Sequence, residues 1–272
     1  MSAALPLRAE IGRQLRRRRT HLAFGFLLLL PLILVGAFAL GSDSDSDNGA
    51  PSFVDLAQRG PANFTVFALF ASTGFLLVVL VALFAGDAVP SEASWSSLRY
   101  LLAAPVPRER LLRVKLSVAA LTSIAALALL PAWCLSVGSL AYGTASFEGP
   151  TGEQLTWGEF ALRLGVIVAF QFVSLLFVLA LAFFVGVLTD APLGAVGGAV
   201  LLTIVSSILD TIRPLGAVRE ALPTHGQFAW ADALQRDVEW SAMATGALWS
   251  VAYAVVLISA AFALFARKDI LS

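Results

Sequence analysis

The sequence predicts an all-α, polytopic membrane protein with six transmembrane helices and both termini in the cytoplasm. Of its 272 residues, 58% are hydrophobic and only 13% are charged, whereas charged residues make up about a quarter of a typical soluble domain. The apolar residues are gathered into six long runs, and a run of about 20 residues is what a helix needs to cross a bilayer. The basic residues are divided unequally between the segments that separate these runs. These three observations predict the class of protein, its spans and its orientation.

The predicted spans lie in a single transmembrane domain, residues 1–272, and cover residues 21–40, 64–85, 116–140, 160–188, 193–209 and 242–265. Helices are expected in all of them, because lipid offers no hydrogen-bond partner to an open backbone and the runs are too long and too uniformly apolar for barrel strands. Only residues 189–192 separate the fourth and fifth spans, so these two spans should form an antiparallel hairpin.

Arginine and lysine predict the orientation. With six spans, residues 1–20, the segment 86–115, the turn 189–192 and the C-terminal tail share one side of the membrane and hold 13 basic residues, while the other side holds five. The more basic side of a membrane protein faces the cytoplasm. We therefore expect both termini and the segment 86–115 to be cytoplasmic, and the loop 210–240 to be extracellular.

Residues 1–20 are basic and carry Leu7, Ile11 and Leu15 at helical spacing. This pattern favours a short amphipathic helix on the inner membrane surface, with its basic face toward anionic lipid. The alternative is a disordered basic tail. A cleaved signal peptide is disfavoured, because the apolar run that follows is longer than the core of a signal peptide.

The sequence lacks the motifs of a self-contained enzyme or pump. It has no G-x-x-x-x-G-K-[ST] phosphate loop and no H-E-x-x-H, C-x-x-C or G-x-S-x-G pattern. The aspartates of the loop 41–62 alternate with serine but lack the glycine and the distal glutamate of a calcium loop. Asp87, Arg163 and Asp210 fall near span ends, where their side chains can reach water. We therefore predict no catalytic residue and no metal site, and the energy for any transport must come from another subunit.

The segment 86–115 has no counterpart elsewhere in the chain. Trp95, Leu98 and Leu102 recur at helical spacing and form one apolar face. Pro105 and Pro107 end this helix, and a basic helix then begins at residue 108 and continues into the third span. Such an element can fit a groove on a soluble partner, or it can lie on lipid with its arginines on phosphates.

Several short motifs follow one another in this segment: Gly86-Asp87, Glu92, Ser97-Leu98-Arg99, Leu101-Leu102, Pro105-Val106-Pro107-Arg108 and Lys115. Outside it stand Glu10, ahead of a basic run, and the closing Phe265-Ala266-Arg267-Lys268-Asp269. In order, spacing and topology these motifs resemble those of ABC-2-type permeases, the membrane subunits of ATP-binding cassette exporters. Two departures are mild: Ser96-Ser97 stands where Gly-Thr is common in the family, and Pro107 stands where serine is usual.

The resemblance implies a permease subunit that is not itself an enzyme. Two copies, or one copy and a sister permease, would assemble with separate nucleotide-binding ATPase subunits. ATP and magnesium would bind to those subunits, and this chain would hold no cofactor. The segment 86–115 would contain the coupling helix that docks on the ATPase, and residues 1–20 would form the connecting helix at the inner interface. The implied docking residues are Glu92, Arg99, Leu102, Val106, Arg108 and Arg110.

The resemblance also implies outward movement of a hydrophobic or amphiphilic substrate, such as a drug, lipid, glycan or peptide. The expected location is the inner or plasma membrane of a bacterial cell, with membrane lipids as further partners and no nucleic acid. Polar residues within the spans could line the substrate path: Thr65, Ser72, Thr73, Gln171, Ser174, Thr203, Ser206 and Ser207. The alternative is that they form hydrogen bonds between helices, as such residues commonly do in membranes.

Two other functions are compatible with the sequence. One is a sensor or scaffold subunit that binds an ATPase but transports nothing. The other is a membrane enzyme that uses acidic residues and a histidine of the outer loops, and the candidates for it are Glu153, Glu159, His225, Asp232 and Asp237.

Overall fold

The computed structural model describes residues 7–41, 53–90, 107–150 and 152–267, and most of these residues are helical. Five helical segments are long and apolar enough to cross a membrane: Arg18–Gly41, Arg108–Tyr142, Trp157–Thr189, Pro192–Asp210 and Trp240–Arg267. A sixth candidate is a pair of helices, Pro61–Thr73 and Leu76–Gly86, with a bend of 57° between them. These findings confirm a mostly helical, multi-pass membrane protein with five or six candidate spans.

In chain order the helices of the described residues are α1 (Leu7–Leu15), α2 (Arg18–Gly41), α3 (Phe53–Ala57), α4 (Pro61–Thr73), α5 (Leu76–Gly86), α6 (Arg108–Tyr142), α7 (Trp157–Ser174), α8 (Leu176–Thr189), α9 (Pro192–Asp210) and α10 (Trp240–Arg267). Two short strands, β1 (Phe147–Glu148) and β2 (Gln154–Leu155), form an antiparallel hairpin before α7. Two 3-10 helices, Arg213–Ala221 and Ala229–Leu234, lie between α9 and α10.

Helix α8 lies at the centre of the bundle, where it packs against α5, α9 and α10. Its residues 177–183 are all buried, which is the pattern of a helix enclosed by others on every side. Helix α9 buries one stripe only, formed by Ala195, Ala199, Thr203 and Ser206. The rest of its surface is apolar and exposed, as a membrane helix at the edge of a bundle requires.

The turn between α8 and α9 forms the antiparallel hairpin that its length predicts. Asp190 adopts a left-handed conformation with φ of 53°, which aspartate tolerates better than most residues. Its backbone N–H donates to the carbonyl of Gly186 at 3.1 Å and closes the end of α8. Pro192 then starts α9, in the position where proline costs no hydrogen bond.

The predicted span 64–85 is two helices in the structure, and hydroxyl hydrogen bonds and a non-helical residue lie at the break. The hydroxyls of Ser72 and Thr73 donate to the carbonyls of Ala68 and Leu69, at 2.5 and 2.7 Å. Hydroxyl bonds of this kind loosen and bend a helix. Phe75 then leaves the helical region, with φ of −139° and ψ of −60°, and α5 starts in a new direction.

A smaller interruption at Leu175 separates α7 from α8. Backbone groups beside this interruption form hydrogen bonds with a side chain of α10. The hydroxyl of Ser250 in α10 donates toward the carbonyls of Val173 and Ser174, at 2.9 and 2.7 Å. It also accepts from the backbone N–H of Phe177 at 3.2 Å. Since lipid cannot satisfy these backbone groups, Ser250 ties α10 to the break.

The segment between α9 and α10 lies against α10 at a contact between two glycines. A Cβ atom at Gly226 would come within 2.8 Å of the Cα atom of Gly246, and one at Gly246 within 3.1 Å of the Cα atom of Gly226. No side chain fits between these two backbones, so the close packing of the segment depends on both glycines.

We therefore expect Gly226→Ala to destabilise the protein by about 1–3 kcal/mol, because backbone must move to admit the methyl group. Cys134 is the chain's one cysteine and is fully buried, so thermal unfolding can be followed by the reaction of its thiol with a fluorogenic maleimide. Gly197→Ala is the matched control, because a Cβ atom there meets nothing within 4 Å. Equal melting temperatures for the two variants would contradict the glycine contact.

Candidate functional site

Helix α1 presents a polar face to the protein. Its buried residues are Glu10 and Gln14, one helical turn apart, while Leu7 and Leu15 are exposed. The predicted amphipathic helix is present, with Leu7 and Leu15 exposed and Ile11 half-buried. The burial of a carboxylate on the other face needs a partner, and the third span provides it.

An ion pair buried between α1 and α6 fixes the N-terminal helix to this span. The ammonium group of Lys115 donates to a carboxylate oxygen of Glu10, and the two side chains are 3% and 4% exposed. Nη1 of Arg13 lies 3.5 Å from the second carboxylate oxygen of Glu10. A buried charge that loses its partner costs about 3–5 kcal/mol, so each residue of the pair requires the other.

A second charged cluster joins the start of α2 to the end of α5. Nη1 of Arg17 lies 2.9 Å from Oδ2 of Asp87 and also donates to its backbone carbonyl at 3.3 Å. Nη1 of Arg19 lies 2.7 Å from Oδ1 of the same residue. A carboxylate at the C-terminus of a helix opposes the helix dipole, and here two guanidinium groups offset that cost. The expectation that Asp87 reaches water is wrong: the residue is 4% exposed, because arginines replace the water.

The two clusters stand on either side of the segment 91–106. Asp87 precedes this segment and Lys115 follows it, and both are bound to residues 10–19 of the N-terminal region. The N-terminal region therefore links the two helices, α5 and α6, from which the segment departs.

The predicted docking residues Glu92, Arg99, Leu102 and Val106 lie outside the described residues, whereas Arg108 and Arg110 lie in the first turn of α6. Arg110 is exposed. Nη1 of Arg108 donates to the backbone carbonyl of Ala266 at 3.3 Å, so the beginning of α6 contacts the end of α10. The docking assignment itself stays a prediction.

Sequence analysis singles out Glu10, Asp87 and Lys115 one by one, as parts of separate motifs, and does not predict their pairing. The available signal is their charge on the side assigned to the cytoplasm: Asp87 and Lys115 stand at predicted span boundaries, and Glu10 lies in the basic region before the first span. The pairing itself joins residues 105 positions apart in one case and about 70 in the other.

Half of the polar span residues lie around one small cavity. Gln171 donates from its amide nitrogen to Oγ1 of Thr73 at 3.0 Å, and its carbonyl oxygen has no partner among the described residues. The cavity holds about 20 Å³ and is lined by Thr73, Gln171, Ser174, Thr203, Thr224 and Gln227, with apolar neighbours. This is room for about one water molecule, so the cavity is closed to a larger solute in this conformation.

The other polar span residues make local bonds. Thr65 donates to the carbonyl of Pro61 at 2.8 Å, as Ser72 does to Ala68, and Ser207 donates to the carbonyl of Thr203. Ser206 lies 2.8 Å from Oγ1 of Thr224 and so joins α9 to the segment that follows it. These contacts are hydrogen bonds within and between elements; a substrate path along these residues stays a prediction.

Three of the candidate residues of an outer-loop enzyme, His225, Glu159 and Asp232, form hydrogen bonds with separate partners. Nδ1 of His225 lies 2.5 Å from Oδ1 of Asp210, and Glu159 accepts from Thr156 in the capping box that starts α7. Asp232 accepts from Gln235 at 3.1 Å. Within the described ranges no three histidine, cysteine, aspartate or glutamate side chains form a group that could hold a metal ion.

A comparison with protein families finds one match that covers most of the chain. The family model described as "ABC-2 family transporter protein" matches residues 7–208. This range runs from the first turn of α1 to the end of α9, and it includes both charged clusters. A comparison with curated proteins finds no match.

We expect Lys115→Met to lower the free energy of unfolding by about 3 kcal/mol, because the buried carboxylate of Glu10 loses its buried cation and retains the half-exposed Arg13, 3.5 Å away. Adding Glu10→Gln to Lys115→Met should restore most of that loss, since no buried charge remains. Thiol labelling of Cys134 during heating measures both variants.

Arg113→Ala is the control for removing a cation from the same helix. Arg113 forms an exposed pair with Glu109 at 3.2 Å, and loss of such a pair costs about 0.5 kcal/mol. Additive losses in the Glu10 and Lys115 double variant would refute the coupling between the two residues.

Proposed function

The chain belongs to the ABC-2 family of transporter proteins, and on that premise we propose that it is the permease subunit of an exporter driven by a separate ATPase. The observation that carries this proposal is the attachment of the N-terminal region to Asp87 and Lys115, on either side of the segment 91–106. An element that receives force from outside must be connected to the spans it moves. In this chain those connections are charge-assisted hydrogen bonds. Glu10, Lys115 and the carboxylate of Asp87 are buried, whereas Arg19 is exposed. Burial makes such bonds stronger than exposed ones.

In the proposed mechanism the ATPase subunit binds ATP and magnesium and docks on the segment 86–115. The docking surface contains Glu92, Arg99, Leu102, Val106, Arg108 and Arg110. Closure of two ATPase subunits then displaces the segment. The charged clusters pass this displacement to α1 and α2 as well as to α5 and α6. The chain itself contributes no chemical step; it converts the displacement into a rearrangement of its spans.

We infer that the pair α4 and α5 is one broken crossing, which gives six spans. At the start of α4, Asn63 exchanges hydrogen bonds with the backbone of Glu148, at 2.6 and 3.0 Å, in the hairpin that follows the end of α6. At the end of α5, Asp87 contacts Arg17 and Arg19, near the pair formed with Lys115 at the start of α6. The pair α4 and α5 thus extends between opposite ends of α6, whereas a re-entrant loop would return to the end where it began.

The proposed substrate is hydrophobic or amphiphilic and moves outward across a bacterial cell membrane. A second copy of this chain, or a sister permease, would complete the path. Exposed apolar residues on α9, such as Leu201, Val205 and Ile208, leave that helix available to lipid or to such a partner.

Arg99→Glu combined with Arg108→Glu should abolish co-purification of the ATPase subunit and ATP-driven export, because two cations of the docking surface become anions. Membrane insertion of the variant should be normal. Arg236→Glu is the matched control, since it makes the same change in the segment between α9 and α10. Arg99→Glu alone separates docking from the contact that Arg108 makes with Ala266. Undiminished ATPase binding by the double variant would count decisively against the docking surface.

Labelling with a membrane-impermeant maleimide tests the orientation and whether α4 and α5 cross the membrane. In a Cys134→Ser background, Asn48→Cys, which precedes α4, should react in intact cells, whereas Glu109→Cys, which follows α5, should react only after permeabilisation. If Glu109→Cys reacts from outside while Asn48→Cys is protected, the orientation is inverted. If both react from the same side, the pair α4 and α5 does not cross the membrane and the six-span arrangement fails.

A further inference from the structure

A large cavity lies where three separate loop regions meet, outside both charged clusters and outside the small polar cavity. It measures about 450 Å³, which is within the range of sites for drug-sized ligands. Helix α3 and the start of α4 form one wall, the β-hairpin the second, and the 3-10 helix Ala229–Leu234 the third. By the proposed topology all three walls belong to the outer side.

The wall is mainly aromatic, and its rings are held by one another. The cavity is lined by Phe53, Phe70, Phe147 and Trp230. The ring centroids of Phe53 and Phe70 are 5.4 Å apart, and those of Phe70 and Trp230 are 6.3 Å apart. Phe53 and Phe70 are the exposed rings of this wall. Aromatic faces attract cations through the quadrupole of the ring, so the wall favours a lipophilic cation over an anion of the same shape.

The charged residues around the cavity also favour a cationic ligand. Two glutamates line it, Glu148 and Glu153. Glu148 pairs with Arg59, whereas the carboxylate of Glu153 has no hydrogen bond or ion pair within the part of the chain that the structure describes. The nearby Arg163 is engaged by the backbone carbonyls of Ala233 and Gln235. Glu153 is thus the uncompensated charge in the cavity wall.

We propose that this cavity binds an amphiphilic organic cation, with its apolar part against the aromatic wall and its positive charge at Glu153. The site is separate from the polar residues within the spans and from the ATPase docking surface. It therefore does not require the proposed function to be right, and it can be tested on the purified chain without an ATPase or ATP.

Tetraphenylphosphonium and tetraphenylborate are the appropriate probes, because they match in shape and apolar surface and differ in the sign of their charge. With the full chain in lipid nanodiscs, the phosphonium should bind saturably at one site per chain, measured by equilibrium dialysis. Glu153→Gln should weaken its binding about fivefold, the effect of a half-exposed ion pair. Ala231→Trp, which fills the cavity from a half-buried position in its wall, should abolish binding. The borate should show no saturable binding.

Glu239→Gln is the matched control, since it removes an exposed carboxylate that lies between α9 and α10 and does not line the cavity, and it should leave binding unchanged. Heating of each variant with the Cys134 thiol assay verifies that the fold is retained. Equal saturable binding of the borate, or phosphonium binding that neither Glu153→Gln nor Ala231→Trp alters, would overturn the proposal. Displacement of a co-purified phospholipid from the cavity without selectivity for cations would also overturn it.

Discussion

The buried charges of the N-terminal region impose the strongest constraint on this structure. Glu10 and Lys115 are removed from water at a boundary where neither lipid nor protein can replace a hydration shell except through a partner of opposite charge. Asp87 is in the same position, with two arginines. Such pairs contribute little to net stability. Moving one partner by a few ångströms is nevertheless costly, because it leaves the other charge buried and unpaired. They therefore specify where α1 and the start of α2 must lie.

This constraint explains the arrangement of the helices around it. Helix α1 turns Glu10 and Gln14 inward and leaves its apolar residues outward, the reverse of a helix at the surface of a soluble protein. The third span extends as one helix from Arg108 to Tyr142, well beyond the roughly 20 residues that a bilayer needs. Its first turns lie outside the apolar run, and there Lys115 meets α1.

The sequence predicts those features that lipid dictates. Spans require long apolar runs. The four residues 189–192 are too few for any arrangement of the flanking spans other than an antiparallel hairpin. The basic helix after Pro107 also continues into the third span as its pattern indicates. The hydroxyls of Ser72 and Thr73, by contrast, look like ordinary polar residues of a span. Only their bonds to Ala68 and Leu69, with Phe75 outside the helical region, reveal the break between α4 and α5.

Features that depend on distant contacts could not be predicted in the same way. Nothing in the local sequence of Gly226 identifies Gly246 as the backbone against which it packs, and the partner of Lys115 is in another element altogether. The charged clusters show the same limit. Glu10, Asp87 and Lys115 belong to motifs that the sequence displays, but their ion-pair partners depend on the fold. The candidate residues of the substrate path show the opposite case, since Thr65, Ser72 and Ser207 bond to carbonyls one turn earlier in their own helices.

The positions of the charged clusters and of the aromatic cavity have a joint mechanical consequence. The clusters fix α5 at its Gly86 end, while Asn63 fixes α4 at the hairpin beside the cavity, and the break at residues 74–75 lies between them. The bend itself is also held, because Gln171 donates to Oγ1 of Thr73 at 3.0 Å. A change in the angle between α4 and α5 would therefore have to displace that hydrogen bond. Phe70 precedes the break in α4 and also lines the cavity, so such a change would alter the cavity wall as well. The pair α4 and α5 therefore connects the charged clusters to the cavity.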